Sequence, residues 1–278
     1  MVILHNLKKY RVMVIGLTFY LSKNNTYYGM GMNEINVLGW NVENTTKDEI
    51  LRNFGKFRFL IPINVDVVMK LNSDRFFFRA VKPYLNEIKF VNDSQVINFA
   101  TKIILRKKLG EKISGSDFLP WLCSQRGNNE FSIFLLGGMG DSATLAQTKL
   151  NLRFGAETVV GSISPTYGFD KKEEECENII NKINQSGANV LAIGVGAPKQ
   201  EMWMLKYANK LPDIKLFIAV GATIDFEAGK IIRSPKWISK IGLEWLFRLI
   251  LEPRRLVKRY LVEGPPFFWL LLKQRLGI

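Results

Sequence analysis

The sequence repeats one local unit, in which a short apolar run leads into a glycine-rich turn and then into a helical pattern. The clearest copy is the apolar run 190–193 followed by Gly194-Val-Gly-Ala-Pro-Lys-Gln-Glu201, and two further copies begin at Phe131 and Leu216. Short buried strands that alternate with helices predict a mainly parallel sheet of the Rossmann-like, doubly wound α/β class. In that class ligands bind beyond the carboxyl ends of the strands, so the three turns are expected to line one crevice.

The glycine turns favour an anion-binding site. Gly137, Gly138 and Gly196 allow the backbone to approach a ligand closely. Pro198 suits the first helical position, where the free N–H groups and the positive end of the helix dipole face a ligand. The alternative, an ordinary strand-to-helix turn, stays open on the residues alone.

Histidine and cysteine are too scarce for several kinds of catalytic chemistry. The chain of 278 residues has one histidine, His5, and two cysteines, Cys123 and Cys176. A histidine general base in the body of the protein and the usual zinc cluster are therefore excluded. Two cysteines without ligand spacing predict reduced thiols in a cytosolic protein. General base catalysis must then come from a carboxylate.

Positive charge is concentrated at the two ends of the chain. The formal net charge is +14, of which residues 1–29 carry +4 and residues 230–278 carry +8, from eleven Lys or Arg against three Glu. A nearly neutral middle argues against a nucleic-acid groove. The C-terminal segment also contains Trp237, Ile241 and Trp245, which recur every four residues as on one face of a helix. Its apolar run 267–272 is too short to span a bilayer. This composition predicts a membrane-interface appendage, with a helical hairpin packed on the core as the alternative.

These patterns divide the chain into three parts. The N-terminal run 12–21 is apolar but lacks a small-residue cleavage site, so it is either a membrane-touching lead or sequence upstream of the true start. The predicted parts are a basic and apolar lead at 1–33, an α/β domain at 34–230 and an amphipathic basic appendage at 231–278.

From Ile35 onward a dozen short motifs occur in a fixed order. They include Asn64-Val-Asp66, Asn92-Asp-Ser94, Gly115-Ser-Asp-Phe118, Gly196-Ala-Pro-Lys-Gln-Glu201 and Gly242-Leu-Glu-Trp245. In this order they resemble the WecG/TagA/CpsF glycosyltransferase family over about residues 35–262. The resemblance implies transfer of a sugar from a UDP-sugar donor to an undecaprenyl-diphosphate-linked saccharide, with inversion and without a bound metal or other cofactor, in surface polysaccharide synthesis.

The resemblance also implies partners and a location. The expected partners are the UDP-sugar, the polyprenyl-diphosphate-linked acceptor and an anionic membrane surface at the inner face of the bacterial cytoplasmic membrane. Nucleic acid is not expected, and a homo-oligomer is left open. The sequence agrees independently, because it lacks an Asp-x-Asp motif for a divalent ion. Backbone N–H groups, helix dipoles and arginines would then stabilise the leaving diphosphate.

Site residues follow by matching motifs. Asp93 matches the family's general base, with capping of the helix that begins near Ser94 as the alternative. Pro62 and Ser94 stand where the family has threonine and glycine, which leaves the donor sugar undefined. The candidates for binding substrate are Asn64, Asp66, Gly137, Gly138, Tyr167, Gly196, Pro198, Lys199, Gln200, Glu201, Asp225, Arg233, Arg248, Arg255 and Arg259.

Several of these candidates have structural alternatives. Glu201 and Asp225 either bind ribose or sugar hydroxyls or pair with Lys199 or Lys230. Tyr167 either stacks on uracil or fills core space, and the tail arginines contact either the diphosphate or lipid headgroups. At the level of the whole chain, an NAD(P)-dependent oxidoreductase and a non-catalytic membrane-associated binding module are the rival functions, although the first glycine turn lacks the full dinucleotide spacing.

Overall fold

The computed structural model describes residues 33–125 and 131–278, so the predicted N-terminal lead lies outside the described residues apart from residue 33. The strands are β1 (Glu34–Val37), β2 (Trp40–Glu43), β3 (Phe59–Ile63), β4 (Ile88–Asn92), β5 (Ile133–Gly137), β6 (Val159–Ile163), β7 (Val190–Gly194) and β8 (Leu216–Ala219).

The α-helices are α1 (Lys47–Arg52), α2 (Val65–Ser73), α3 (Arg75–Val81), α4 (Gln95–Ala100), α5 (Gly115–Ser124), α6 (Ser142–Phe154), α7 (Glu173–Gln185), α8 (Lys199–Tyr207), α9 (Thr223–Ala228), α10 (Lys236–Lys240), α11 (Glu244–Leu251), α12 (Pro253–Val257) and α13 (Pro266–Leu276). Two π-helical segments extend α4 and α12, at Thr101–Leu105 and Lys258–Glu263. Short 3-10 turns lie at Lys82–Tyr84, Phe169–Lys171 and Ala208–Lys210.

The eight strands form one sheet in the order β1-β2-β4-β3-β8-β7-β5-β6. Every neighbouring pair is parallel except the β1–β2 hairpin, which confirms the predicted Rossmann-like, mainly parallel class. The hairpin is an addition that the sequence analysis did not include. Its turn places Leu38 and Gly39 at φ 53° and 91°, and the Gly39 N–H donates to Oδ1 of Asn36 at 3.0 Å.

Both faces of the sheet are buried, which explains why its strands read as continuous apolar runs. Every residue of β5, β7 and β8 is buried. Because successive side chains point to opposite faces, Phe217 joins one apolar cluster while Leu216 and Ile218 join the other. Helices α2, α3, α7, α8 and α13 cover the first face, and α1, α5, α6 and α9 cover the second.

The three glycine turns end the neighbouring strands β5, β7 and β8, and they touch through backbone atoms. The Gly138 N–H donates to the Gly194 carbonyl at 3.2 Å. A Cβ on Gly137 would lie 2.3 Å from that same carbonyl oxygen, and one on Gly194 would lie 2.6 Å from the Gly221 oxygen. The three turns therefore lie side by side at the carboxyl edge of the sheet, where the repeated unit predicts a crevice.

The C-terminal segment folds back over the sheet. Phe267, Leu270 and Leu271 of α13 are buried in the apolar cluster of the first face. The expectation that the whole run 267–272 faces a membrane is therefore wrong for these three side chains. They complete the core, whereas Phe268 and Trp269 remain exposed.

The last helix is also tied to the hairpin at the far edge of the sheet. The side-chain amide of Gln274 donates to the Asn36 carbonyl at 2.9 Å and accepts from the Leu38 N–H at 2.8 Å. None of the helices within residues 33–125 and 131–278 is long and apolar enough to cross a membrane. The alternative to a membrane-interface appendage, helices packed on the core, therefore holds for the buried side chains of α13.

Gly194→Ala should destabilise the protein, because the added Cβ meets the Gly221 carbonyl without room to relax. Steric crowding of this kind costs about 1–3 kcal/mol, which chemical denaturation followed by circular dichroism would measure. Gly140→Ala is the matched control, since a Cβ there meets nothing within 4 Å and only its φ of 60° opposes alanine. Equal losses from the two variants would contradict a packing role for Gly194.

Candidate active site

A pocket of about 290 Å³ opens at the carboxyl ends of β3 and β4. One wall comes from the residues that follow these strands, and the other comes from the C-terminal segment. The lining residues are Asn64, Val65, Asp66, Asp93, Ser94, Gln95, Val96, Lys112, Ser239, Gly242, Glu244, Trp245, Arg248, Arg259, Tyr260, Gly264, Pro265 and Phe268. The site is therefore assembled from two distant parts of the chain.

Asp93 and Asn64 meet because they follow two adjacent parallel strands. The side-chain amide of Asn64 donates to Oδ2 of Asp93 at 3.1 Å, while its oxygen accepts from the Val67 N–H and caps α2. The cap of α4 is Ser94, whose hydroxyl accepts from the Val96 N–H. The alternative role of Asp93 as a helix cap is therefore wrong, and its carboxylate is left facing the pocket.

The surroundings of Asp93 raise the pKa of its carboxyl group. Burial raises its pKa from 3.8 to about 6, against the opposing effects of the Asn64 hydrogen bond, Lys112 and Arg248. Glu244 adds a smaller upward effect on the same pKa. A carboxyl group with a pKa near 6 is largely ionised at pH 7 and still basic enough to take a proton in a transition state.

Asp66 connects the two walls of the pocket. Its Oδ2 lies 3.1 Å from a guanidinium nitrogen of Arg259 and 2.8 Å from Nζ of Lys70, and its side chain is only 7% exposed. Nζ of Lys70 also donates to the Ala197 carbonyl at 3.0 Å, in the turn before α8. Asp66 and Arg259 are therefore brought together at the pocket, and Lys70 joins them to the glycine-rich crevice.

A second polar bridge between the walls was missed by the sequence analysis. Nζ of Lys112 lies 3.1 Å from the Glu244 carboxylate and 3.0 Å from the Ser239 hydroxyl, both in the C-terminal segment. Glu244 is one of only three acids in residues 230–278. An acid within this basic segment, and a lysine just before the Gly115 motif, were the sequence signals that could have suggested an ion pair.

Several N–H groups of the glycine turns are already paired within the protein. The side-chain oxygen of Gln200 accepts from Gly196 at 3.3 Å and from Gly221 at 3.2 Å. Oδ1 of Asp225 accepts from the Met139 N–H at 3.1 Å, beside Gly138. These contacts give Gln200 and Asp225 a role in holding the crevice together that the sequence analysis did not include.

Glu201 lies inside the protein beneath this crevice and not at its surface. It is fully buried, its Oε1 accepts from the Gln200 amide at 2.8 Å, and its Oε2 has no hydrogen-bond partner within the described parts of the chain. Burial raises its pKa from 4.5 to about 7, against the Gln200 hydrogen bond and the charge of Lys70. The expected alternative, an ion pair with Lys199, is not formed.

Lys199 and Tyr167 instead lie together on the rim of the crevice. Nζ of Lys199 is 3.3 Å from Oδ1 of Asp170 and 5.5 Å from the centre of the Tyr167 ring. Tyr167 is 98% exposed, so its alternative role in filling the core is wrong. Pro198 precedes α8 as its N-cap residue and is therefore one position earlier than predicted.

Three further candidates lie in different environments. Arg233 donates to the Ser116 carbonyl at 2.9 Å and pairs with Asp117, so it contacts α5 and does not line the pocket. Lys230 pairs with Asp141 at 2.9 Å and not with Asp225. Arg248 does line the pocket, and its Nε has no hydrogen-bond partner among the described residues. The side chain of Arg255 is not among those that the structure describes.

The described residues 33–125 and 131–278 contain no group of three or more His, Cys, Asp or Glu close enough to hold a metal ion. Lys112, Arg248 and Arg259 are the cations that line the pocket within this part of the chain.

The fold and pocket define an α/β protein whose candidate active site combines a buried carboxylate with basic side chains. The model of the Glycosyl transferase WecG/TagA/CpsF family matches residues 35–278. The chain belongs to this glycosyltransferase family. The match reaches beyond the last sequence motif, at about residue 262, to the final residue, and it sets aside the NAD(P)-dependent oxidoreductase.

The free energy of unfolding of Glu201→Gln, minus that of the unmodified chain, should be larger at pH 8 than at pH 4. Because the folded-state pKa of Glu201 is raised from 4.5 to about 7, the folded state binds more protons in that interval and loses stability as pH rises. The difference should be about 1–3 kcal/mol by denaturant titration at both pH values. Glu174→Gln, at an exposed position of α7, is the control. A pH-independent effect of Glu201→Gln would contradict the burial of an ionisable group there.

Proposed function

We propose that the protein is an inverting, metal-independent glycosyltransferase that moves a sugar from a UDP-sugar to a polyprenyl-diphosphate-linked saccharide. The observation that carries the proposal is Asp93, a carboxylate in a pocket opposite Lys112, Arg248 and Arg259. A base and a group of cations in one pocket match the two needs of this reaction, a proton acceptor and stabilisation of a leaving diphosphate.

The proposed reaction is a single displacement at the anomeric carbon. Asp93 accepts the proton of the acceptor hydroxyl while the oxygen of that hydroxyl forms a bond to the anomeric carbon. The bond from that carbon to UDP breaks on the opposite face. The Asn64 amide, 3.1 Å from Oδ2 of Asp93, orients the carboxylate. One displacement inverts the configuration, and the electron pair of the broken bond leaves with UDP.

The charge on the leaving group calls for nearby cations. Arg248 and Arg259 each have a buried Nε without a partner among the described residues, so each retains a donor for a phosphate oxygen. Tyr167 and Lys199 at the rim of the crevice are proposed to contact the nucleotide. The catalytic steps assigned here need only these side chains, which is the basis for proposing metal independence.

The lipid-linked acceptor implies work at a membrane surface, where we propose the protein binds peripherally on the cytoplasmic side. Trp237, Ile250 and Trp269 of the C-terminal segment are between 54% and 71% exposed. Exposed apolar side chains beside basic residues favour an anionic bilayer interface. The segment would thereby place the pocket beside the acceptor.

The direct test is sugar transfer by purified protein from a panel of UDP-sugars to a synthetic short-chain polyprenyl-diphosphate saccharide. Transfer with inverted product configuration and unchanged rate in EDTA is expected. UDP, but not NADH, should raise the melting temperature. Loss of the activity in EDTA would overturn metal independence, and transfer to no acceptor with any donor would leave the non-catalytic binding module.

Asp93→Asn should lower turnover at least about a hundredfold, because it keeps the shape but removes the proton acceptor. UDP affinity by calorimetry should stay within a few fold. In the unmodified enzyme, log kcat should rise with pH up to about 6, the pKa of Asp93, and then level off as the carboxylate becomes fully ionised. Asp213→Asn, at an exposed site, is the control. Near-normal turnover of the Asp93 variant would move the role to another carboxylate, with Asp66 the next candidate.

A further inference from the structure

The α/β domain carries an exposed apolar and basic surface of its own, outside the C-terminal segment. Phe99 of α4 and Ile103 of the π-helical segment are 47% and 74% exposed. Lys102 lies in the same π-helical segment, Arg106 directly follows that segment, and both side chains are exposed. Large apolar side chains left in water between cations are unusual for a surface that meets solvent alone.

The basic side chains of this surface form no ion pair with an acidic residue in the described parts of the chain. Residues 95–110 contain Lys102, Arg106, Lys107 and Lys108 and no Asp or Glu, a net charge of +4. All four side chains are exposed, and none lies within 4 Å of a carboxylate among the described residues. Phe99 and Ile103 therefore share a segment with a positive net charge, whose basic side chains form no ion pair among the described residues.

The same surface adjoins the exposed apolar part of the C-terminal segment. Gly242 packs so closely on α4 that a Cβ there would lie 2.9 Å from the Phe99 ring, and its neighbours Ile241 and Leu243 are 52% and 39% exposed. Helix α13 packs against the π-helical segment that carries Ile103. Exposed apolar side chains thus continue from the α/β domain onto the segment that covers the pocket.

We propose that Phe99 and Ile103, with the four basic residues of 102–108, form a second membrane-contact element that inserts into an anionic lipid surface beside the C-terminal segment. An anionic bilayer matches both features, since apolar side chains enter the interface and the cations meet the headgroups. A symmetric contact with a second copy of the chain would bring two such basic surfaces together, and this like-charge repulsion disfavours a second copy as the occupant. The inference deepens the membrane partner in the proposed function and rests on it.

The first experiment reads insertion directly. Cys123 and Cys176 are buried, so Ile103→Cys in the full chain can be labelled selectively with an environment-sensitive fluorophore. Vesicles containing phosphatidylglycerol should shift its emission to the blue, as expected for a label that leaves water. Leu152→Cys, at a site 77% exposed on α6, is the matched control and should not shift. A label at residue 103 that stays in water on vesicle-bound protein overturns the proposal.

The second experiment measures the electrostatic part. Lys102→Glu combined with Lys107→Glu should weaken cosedimentation with the same vesicles at least about tenfold, since each basic residue near an anionic surface contributes about fivefold. Lys182→Glu combined with Lys215→Glu makes the same charge change at exposed positions near the amino ends of the strands. These control changes should weaken binding less than about twofold, and equal losses in both pairs would overturn the proposal.

The remaining outcomes separate this inference from its alternatives. A blue shift at residue 103 that grows with protein concentration without vesicles would identify a second copy of the chain, and a shift with duplex DNA but not vesicles would identify nucleic acid. Either result, or no vesicle binding by the unmodified chain, overturns the inference. Sugar transfer to a water-soluble acceptor is assayed separately, so a failure of the lipid element and a failure of the glycosyltransferase activity are distinguishable.

Discussion

Backbone contact between the glycine turns is the constraint on which the carboxyl edge of the sheet depends. The loops after β5, β7 and β8 approach so closely that a Cβ on Gly137 or Gly194 would overlap the next turn. This proximity lets one side chain, Gln200, bond the N–H groups of both Gly196 and Gly221. The positions of α8 and α9, and with them the crevice, follow from contacts that only glycine permits.

The pocket depends on a different kind of contact, because its two walls are joined by ion pairs that are largely withdrawn from water. Removing one partner of such a pair leaves an uncompensated charge, so these bridges specify how the C-terminal segment docks more than they add to stability. Asp66 with Arg259 holds one side, and Lys112 with Glu244 holds the other. Of these four charges, Lys112 lowers and Glu244 raises the pKa of Asp93, and burial has the largest effect on it.

Local patterns in the sequence predicted the parallel sheet and its glycine edge well, because strand periodicity and turn chemistry are short-range properties. They predicted Asp93 and Asn64 through motifs, and the structure explains the pair by adjacent strand ends. The pairing of Lys112 with Glu244 could not be predicted, because the two residues are distant in sequence and only the docking of α11 joins them. The burial of Phe267 was also missed, because an apolar run that faces lipid and one that faces a protein core have the same sequence pattern.

The bridge at Asp66 also bears on the role proposed for Arg259 at the leaving diphosphate. A guanidinium that turns toward a diphosphate must leave its carboxylate, and an abandoned buried carboxylate would normally oppose that movement. Here Lys70 remains 2.8 Å from Oδ2 of Asp66 and is itself fixed by the Ala197 carbonyl. Asp66 therefore keeps a cation when Arg259 moves, which lowers the cost of the exchange. In the proposed reaction, Asp66 would hold the C-terminal segment at the pocket and release Arg259 to the leaving diphosphate.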